Sequence, residues 1–476
     1  MQLAELHVFR KLGRLVLLNV ETLRYYSIDP WIADLIRDLA TDPAPLTAEA
    51  LSERYGQSRL RFALRDLVRE GIVRDTSLGD NSSPAALPIR KRRGIRNLEL
   101  MITHGCNLRC SYCYGVTPAG ELACSPHLFG AAQAAMPIEV AQAGIDFLYR
   151  QCGESQEACV TFFGGEPLLA FDQIQSLVPY ILAEASRRKI SVKLDLSTNA
   201  TLLTPPIARF LADNSFICQI SIDGTSDAHN AHRRFPAGYG SYPATHDGAR
   251  LLLEVMPGRV RAHLTVTTAT DLLRDTTHLL EMGFQSVQAE PAVGGTGPAS
   301  LDDAGVKRMI AAENTLAETI ITEHLAGRAL NYHTIKRRMI ETRSIRVRKG
   351  FHCGAARTLV ALSQDGGFYP CHRFVGIPAF RMGSLTDGFD PAWQERILEL
   401  SVDLRSGCRE CWARYLCGGG CWKHAYDAHG TVERPDTDGS CEIIRNQIEC
   451  ALAMNTILCS TAGPDKGVGT RPDPVV

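Results

Sequence analysis

The chain has 476 residues, enough for two or three domains with separate cores. Lys and Arg (51) balance Asp and Glu (52), for a net charge of −1, which speaks against a nucleic-acid surface and a polybasic membrane anchor. No apolar run reaches the roughly 20 residues of a membrane helix, and the short run 15–18 after Arg10, Lys11 and Arg14 is not a secretory signal. The expectation is a soluble, cytoplasmic protein with no nucleic-acid or membrane partner. Sixteen cysteines without a signal peptide point to metal rather than disulfides.

Residues 1–80 read as a small α+β unit. Segments 7–9 and 15–20 predict strands around a Gly13 turn, 30–39 a helix, 46–55 and 60–70 a helix pair broken at Gly56, and 71–75 a returning strand. This is a winged-helix pattern. The unit carries 11 Lys and Arg against 12 Asp and Glu, so it has no bias toward DNA. Ser, Gly, Asn and Pro over 76–88, with the basic run 90–93, predict a loose linker over 81–96.

From 97 to 300 strands and helices alternate. The strands are 98–102, 159–163, 191–197, 218–222, 261–267 and 285–290; the helices include 138–151, 174–188, 206–214 and 271–282. A βα series implies an α/β fold with a parallel sheet and right-handed crossovers. Six units are too few for a closed eight-stranded barrel, so the expectation is a partial (β/α)6 barrel. Residues 301–349 predict connecting helices, one over 304–325. Residues 350–460 lose regular patterning and gain Cys and Gly, as in a segment that folds around metal, and end in a helix over 441–458. The tail 461–476 is rich in Pro, Gly and charge and predicts disorder.

Cys106, Cys110 and Cys113 follow the first core strand with C-x3-C-x2-C spacing. Three thiolates on one loop can ligate three irons of a [4Fe–4S] cube, whereas a structural zinc site would need a fourth protein ligand. The open iron can chelate the amino and carboxylate groups of S-adenosylmethionine (SAM). With Tyr112 inside the motif, the sequence resembles the radical SAM superfamily over about 97–300. Downstream residues agree in order. Gly164, Gly165, Glu166 and Pro167 resemble the family's GGEP motif, in which glycines let backbone approach the ligand and Glu166 accepts from the SAM ammonium. Ser197, Thr198 and Asn199 resemble the polar element near the SAM ribose and carboxylate. Ser221 and Asp223 end the fourth strand, and His229 to Arg233 resembles an H-x3-R element in which Arg233 pairs with the SAM carboxylate. All lie at C-terminal strand ends, outlining one site on the barrel mouth.

A second constellation follows. Cys353, Gly366 and Cys371 have C-x12-G-x4-C spacing; Cys408, Cys411, Cys417 and Cys421 have C-x2-C-x5-C-x3-C spacing; Cys441 comes last. This resembles the SPASM domain of radical SAM enzymes that modify peptides and proteins. The resemblance implies two auxiliary [4Fe–4S] clusters, three clusters in all, with Cys408, Cys411, Cys417 and Cys441 on one and Cys353, Cys371 and Cys421 on the other. The latter set is one ligand short. Either Cys450 or another side chain closes it, or the position is open to a substrate thiolate; the open reading is favoured. Cys124, Cys152, Cys159, Cys218, Cys450 and Cys459 otherwise read as small apolar residues or free thiols.

The string 369–376, Tyr-Pro-Cys-His-Arg-Phe-Val-Gly, resembles thioether-forming maturases. These include enzymes of cysteine-rich ribosomal peptides and the type that joins Cys to Asp or Glu in the small subunit of quinohemoprotein amine dehydrogenase. Sulfatase-maturing relatives carry an Asp base after the cysteine; here the position is His372. The resemblance implies that residues 1–80 recognise a small Cys- and Asp/Glu-containing protein or peptide, and that a flavodoxin- or ferredoxin-type donor supplies electrons. SAM cleavage would yield a 5′-deoxyadenosyl radical that takes hydrogen from a substrate methylene; a substrate thiolate would attack the carbon radical, and the surplus electron would leave through the clusters. His372, Asp403 and Glu410 are candidate bases. The alternatives are a thioether maturase of short ribosomal peptides, a formylglycine-forming sulfatase maturase, and a non-enzymatic iron–sulfur electron carrier or sensor.

Overall fold

The computed structural model describes residues 2–40, 47–74, 94–115, 135–152, 156–293, 299–343, 345, 347–437 and 439–461. The linker expected over 81–96 (up to 93), the tail from 462 and Cys124 lie outside the described residues.

The N-terminal unit runs β1 (Gln2–Leu3), β2 (Leu6–Lys11), β3 (Arg14–Asn19), β4 (Tyr25–Ser27), α1 (Pro30–Leu39), α2 (Ala48–Tyr55), α3 (Gln57–Arg69) and β5 (Val73–Arg74). Strands β2, β3 and β4 form one antiparallel sheet. The returning strand does not join it; β5 pairs with β1 instead. The period of two on β3 divides its side chains. Leu17 faces the helices with Ile32, Leu35 and Leu67. Val16 and Leu18 face the opposite way, onto Val402, Tyr415, Ile448 and Leu452 of the cysteine-rich region. His7 of β2 stacks on Trp412 at 3.7 Å. The N-terminal unit is therefore docked on the cysteine-rich segment, despite about 330 residues of separation along the chain.

The core runs β6 (Asn97–Thr103), α4 (Ile138–Gln151), β7 (Glu157–Gly164), α5 (Phe171–Arg188), β8 (Ser191–Thr198), α6 (Pro205–Asp213), β9 (Ile217–Ser221), α7 (Ser226–His232), α8 (Tyr242–Val255), β10 (Val260–Val266), α9 (Leu272–Glu281) and β11 (Val287–Pro291). The six expected strands are present, within about two residues, and pair in parallel in chain order. The core is an α/β fold with an open, mostly parallel sheet. The sheet continues beyond them: its order is β11-β10-β9-β8-β7-β6-β12-β13, with β12 (Leu359–Leu362) parallel to β6 and β13 (Phe368–Tyr369) antiparallel to β12. These two strands come from the region expected to lack regular structure. They explain why β6 is buried from Leu98 to Thr103: it is an interior strand, paired along both edges.

Helices α10 (Asp303–Leu325) and α11 (His333–Arg343) connect the core to the rest: β14 (Gly383–Ser384), β15 (Gly388–Phe389), α12 (Pro391–Glu399), α13 (Arg414–Cys417), α14 (Trp422–His429) and α15 (Ser440–Thr461). The last helix packs on α10, α11 and the N-terminal sheet. Where it meets α10, Glu313 accepts from Gln447 Nε2 (2.8 Å), Asn446 Nδ2 (3.2 Å) and Tyr332 OH (3.3 Å). Burial pushes its carboxyl up from 4.5 to about 7. The folded state then holds this proton more tightly than the unfolded chain, so stability falls as pH rises from about 4.5 to about 7. Glu313→Gln removes that dependence, since the neighbouring amides can flip to suit it. In urea titrations the variant should gain on the wild type by up to about 3 kcal/mol across this window and hold a constant lead above it. A gap that does not change with pH would contradict the assignment.

Candidate active site

The loop after β6 carries Cys106, Cys110 and Cys113. Backbone bonds stitch it to the segment after α7: Arg109 N donates to Arg234 O (2.7 Å) and Ser111 N to His232 O (3.1 Å). On its other side lies the turn after β7. A Cβ on Gly164, whose φ is +149°, would collide with Thr103 O, and one on Gly165 would collide with Gly105 O and press on Cys106. The two glycines thus let the β7 turn touch the cysteine loop itself. Burial raises all three thiols, Cys110 to about 12 despite the opposing effect of Arg233, and a thiolate on Cys110 or Cys113 would raise Cys106 further.

Glu166 is 1% exposed and holds two strand ends together. Its Oε1 accepts from Leu168 N (3.1 Å) and Thr198 Oγ1 (2.6 Å), and its Oε2 from Asn199 N (2.7 Å). Burial raises its carboxyl to about 7. Pro167 opens the short 3-10 turn that Glu166 caps. Asn199 reaches the cysteine loop through Asn107 (2.9 Å). Ser197 and Ser221 end β8 and β9, half-buried. Asp223 Oδ2 accepts from Arg233 Nε (2.9 Å) and from Tyr112 OH, and Oδ1 from Thr265 N (3.0 Å). Burial alone would raise Asp223, but the Arg233 cation holds it below its usual range. The expected residues of 106–233 therefore meet at one end of the sheet, with Glu166 and Asp223 already engaged by protein donors.

The later cysteines fall into two sets. Cys408, Cys411, Cys417 and Cys441 line one cavity, beside Arg414, Gly407 and Gly419. Cys353, Cys371 and Cys421 form the other, close enough that thiolates on Cys353 and Cys421 would raise Cys371. Three consecutive glycines with positive φ, Gly418, Gly419 and Gly420, turn the chain between the sets. Cys450 belongs to neither. It is fully buried, with its Sγ 3.2 Å from Asn314 on α10, so it does not close the three-cysteine set. Cys152 and Cys218 are buried core thiols, and Cys459 is exposed.

Residues 100–271 match the model of the Radical SAM superfamily. The chain carries a radical SAM domain. A cysteine-type anaerobic sulfatase-maturating enzyme from Clostridium perfringens is 24% identical over 344 residues, which cover 68% of this chain and 88% of the relative. A serine-type enzyme of the same name from Bacteroides thetaiotaomicron is 26% identical over 147 residues, 31% of this chain and 34% of the relative. Among solved structures, native anSMEcpe with bound AdoMet superimposes with a TM-score of 0.65 at 19% identity, covering 77% of this chain and all of the other. Streptococcus suis SuiB bound to S-adenosylmethionine gives 0.51 at 16% identity, over 92% and 99%.

The radical SAM family implies one [4Fe–4S] cluster and SAM, and the donor set fits: half-buried thiols with no disulfide, at the mouth of the sheet. Among the described residues no three Cys, His, Asp or Glu side chains close on a single metal ion. The base candidates separate. Glu410 is on the surface beside Arg409 (3.4 Å), with its side chain 84% exposed. Asp403 accepts from Tyr415 OH (2.8 Å) next to the four-cysteine cavity. His372 lies against the radical SAM domain: Nδ1 is 2.8 Å from Glu99 Oε1, its backbone N donates to Glu99 Oε2 (2.7 Å), and its ring stacks on Phe163 at 4.2 Å.

Sequence reasoning missed Glu99 and a charged group next to it. Arg373 donates to His424 Nε2 (3.0 Å) and lies 5.4 Å over the Tyr114 ring. Glu290 of β11 would be raised by burial, but Arg373 foremost and then His263 of β10 pull it down to about 2. The available signal was polar residues in otherwise buried parallel strands: Glu99, His263 and Glu290.

Proposed function

We propose that the chain is a peptide- or protein-modifying radical SAM enzyme that forms intrachain Cys-to-Asp or Cys-to-Glu thioethers in a small protein subunit of the quinohemoprotein amine dehydrogenase type. Cys106, Cys110 and Cys113 hold the SAM-binding cluster; Tyr112, Ser197, Ser221 and Arg233 face SAM, on a frame braced by Gly164, Gly165, Glu166, Pro167, Thr198, Asn199 and Asp223. Bound there, cluster and SAM supply a carbon-centred radical that removes hydrogen from the substrate. Two auxiliary clusters occupy the later cysteine sets. Residues 1–80 dock the substrate, which adds a strand to an edge of the β2–β4 sheet, and an external flavodoxin- or ferredoxin-type protein delivers electrons.

The observation that carries this reading is the three-cysteine set Cys353, Cys371 and Cys421 with no fourth cysteine beside it among the described residues. It leaves a ligand position for a substrate thiolate. The chain contributes a proton acceptor one residue away: with Nδ1–H donating to Glu99, His372 keeps Nε2 as the acceptor. The names of the curated relatives favour a second reading, conversion of a sulfatase Cys or Ser to formylglycine; His372 in place of the Asp base counts against it.

Reconstituted enzyme, SAM and dithionite, given a small Cys- and Asp/Glu-containing subunit, should yield 5′-deoxyadenosine and a substrate that has lost two hydrogens and one alkylatable thiol per crosslink. His372→Asn should slow crosslinking by about a hundredfold or more and leave substrate-free SAM cleavage intact. Formylglycine on a sulfatase peptide, with no thioether on the subunit, would replace the first reading by the second.

A further inference from the structure

Arg405 lies between the two later cysteine sets. It is 2% exposed. Its Nη1 donates to Gly419 O, and its own carbonyl accepts from the Cys408 amide (3.1 Å). The remaining donors, Nε and Nη2, are buried and have no protein partner. No carboxylate forms an ion pair with it among the described residues. The charges that reach it belong to Cys408, Cys441, Cys417 and Cys421. Guanidinium does not lose its proton in a protein, so this is a buried cation with two unpartnered donors, close to sulfur: a Cβ on Gly419 would meet both its Nη1 (3.1 Å) and Cys408 Sγ (3.8 Å).

Such a cation needs an anion. A four-iron cluster with four thiolates carries net negative charge and sulfurs that accept hydrogen bonds. Both charge balance and bonds to sulfur set the potential of such clusters.

We propose that Arg405 is the counter-ion of the auxiliary cluster held by Cys408, Cys411, Cys417 and Cys441, donating to its sulfurs through Nε and Nη2 and raising its reduction potential. This rests on the auxiliary-cluster reading above. Reduction adds an electron to the cluster and no atom; the cation stabilises the added negative charge in a water-poor site. Because Cys421 of the other set also reaches Arg405, the same guanidinium links the two sets electrostatically.

The test uses the full chain with Cys106→Ala, Cys110→Ala and Cys113→Ala, which leaves the auxiliary cysteines as ligands. Iron and sulfide are measured after anaerobic reconstitution, and potentials by dithionite titration followed by electron paramagnetic resonance. Arg405→Gln should keep its iron while one auxiliary potential falls by at least 59 mV, a tenfold change in a one-electron equilibrium. Arg405→Lys should fall between it and the parent. Loss of iron in Arg405→Gln but not in Arg405→Lys supports the same conclusion. Full iron with unmoved potentials in both variants overturns it, as does equal loss of iron in both, which would make shape rather than charge the cause. A parent without auxiliary iron refutes the cluster reading, and the proposal with it.

Discussion

Cys106→Ala is expected to reduce SAM cleavage to background while iron at the later cysteines stays in place. The reason is positional. Cys106 is the first of three thiols on one loop, and that loop touches the β7 turn through Gly165. With one thiolate gone the loop retains two, and a cube needs three to leave a single iron open for SAM. The cost to the fold is small, because Cys106 is half-buried and, among the described residues, its sulfur accepts one hydrogen bond, from the Leu108 amide at 3.4 Å. Anaerobic reconstitution, iron analysis and chromatography for 5′-deoxyadenosine read the result. The iron lost should match one cluster, and circular dichroism should be unchanged. Cleavage that survives this change, with the iron count intact, would remove the cysteine loop from the chemistry.

The second large effect concerns Asp223. The Asp223 and Arg233 side chains are 2% and 8% exposed and joined at 2.9 Å. The carboxylate also takes the Tyr112 hydroxyl and the Thr265 amide. Asp223→Asn leaves a buried guanidinium without its counter-charge and turns an amide N–H toward a donor. Breaking a buried pair in this way costs about 3–5 kcal/mol. The pH dependence has a definite sign. Arg233 depresses the folded-state carboxyl below its ordinary 3.8, so the pair contributes above that value and is lost as pH falls through the folded pKa. The gap between wild type and variant in urea titrations should be full at neutral pH and close in acid. SAM affinity should fall as well, since Arg233 is held toward Cys110 by this carboxylate. A variant within 0.5 kcal/mol of wild type, the range of an ordinary surface change, would show that the pair contributes nothing.

Much of the core was legible in order. Short stretches with alternating apolar residues recur between helical ones, so the six strands could be placed from pattern, and the resemblance to radical SAM enzymes then set the residues from Cys106 to Arg233 at their ends. Strand β12 could not. Leu359–Leu362 is four residues long in a Cys- and Gly-rich stretch, and its strand conformation comes from pairing with β6, some 260 residues earlier. Long-range pairing has no local signature. The same holds for the N-terminal sheet: the apolar run 15–20 predicted a strand, but not that Val16 and Leu18 would pack against Tyr415 and Ile448.

What the sequence determined by itself is the chemistry: cysteine spacing names the donor atoms, and glycine and polar punctuation after each strand names where they gather. What only the tertiary structure decided is which groups are already engaged and which remain free. Glu166 and Asp223 are occupied by protein donors, Cys450 is removed to a helix interface, Glu99 is brought to His372 across 273 positions, and Arg405 is left with two buried donors that have no protein partner. The physical reason is that hydrogen bonding and burial are properties of neighbours in space, and in a fold closed by strands and helices far apart in the chain those neighbours are set by packing.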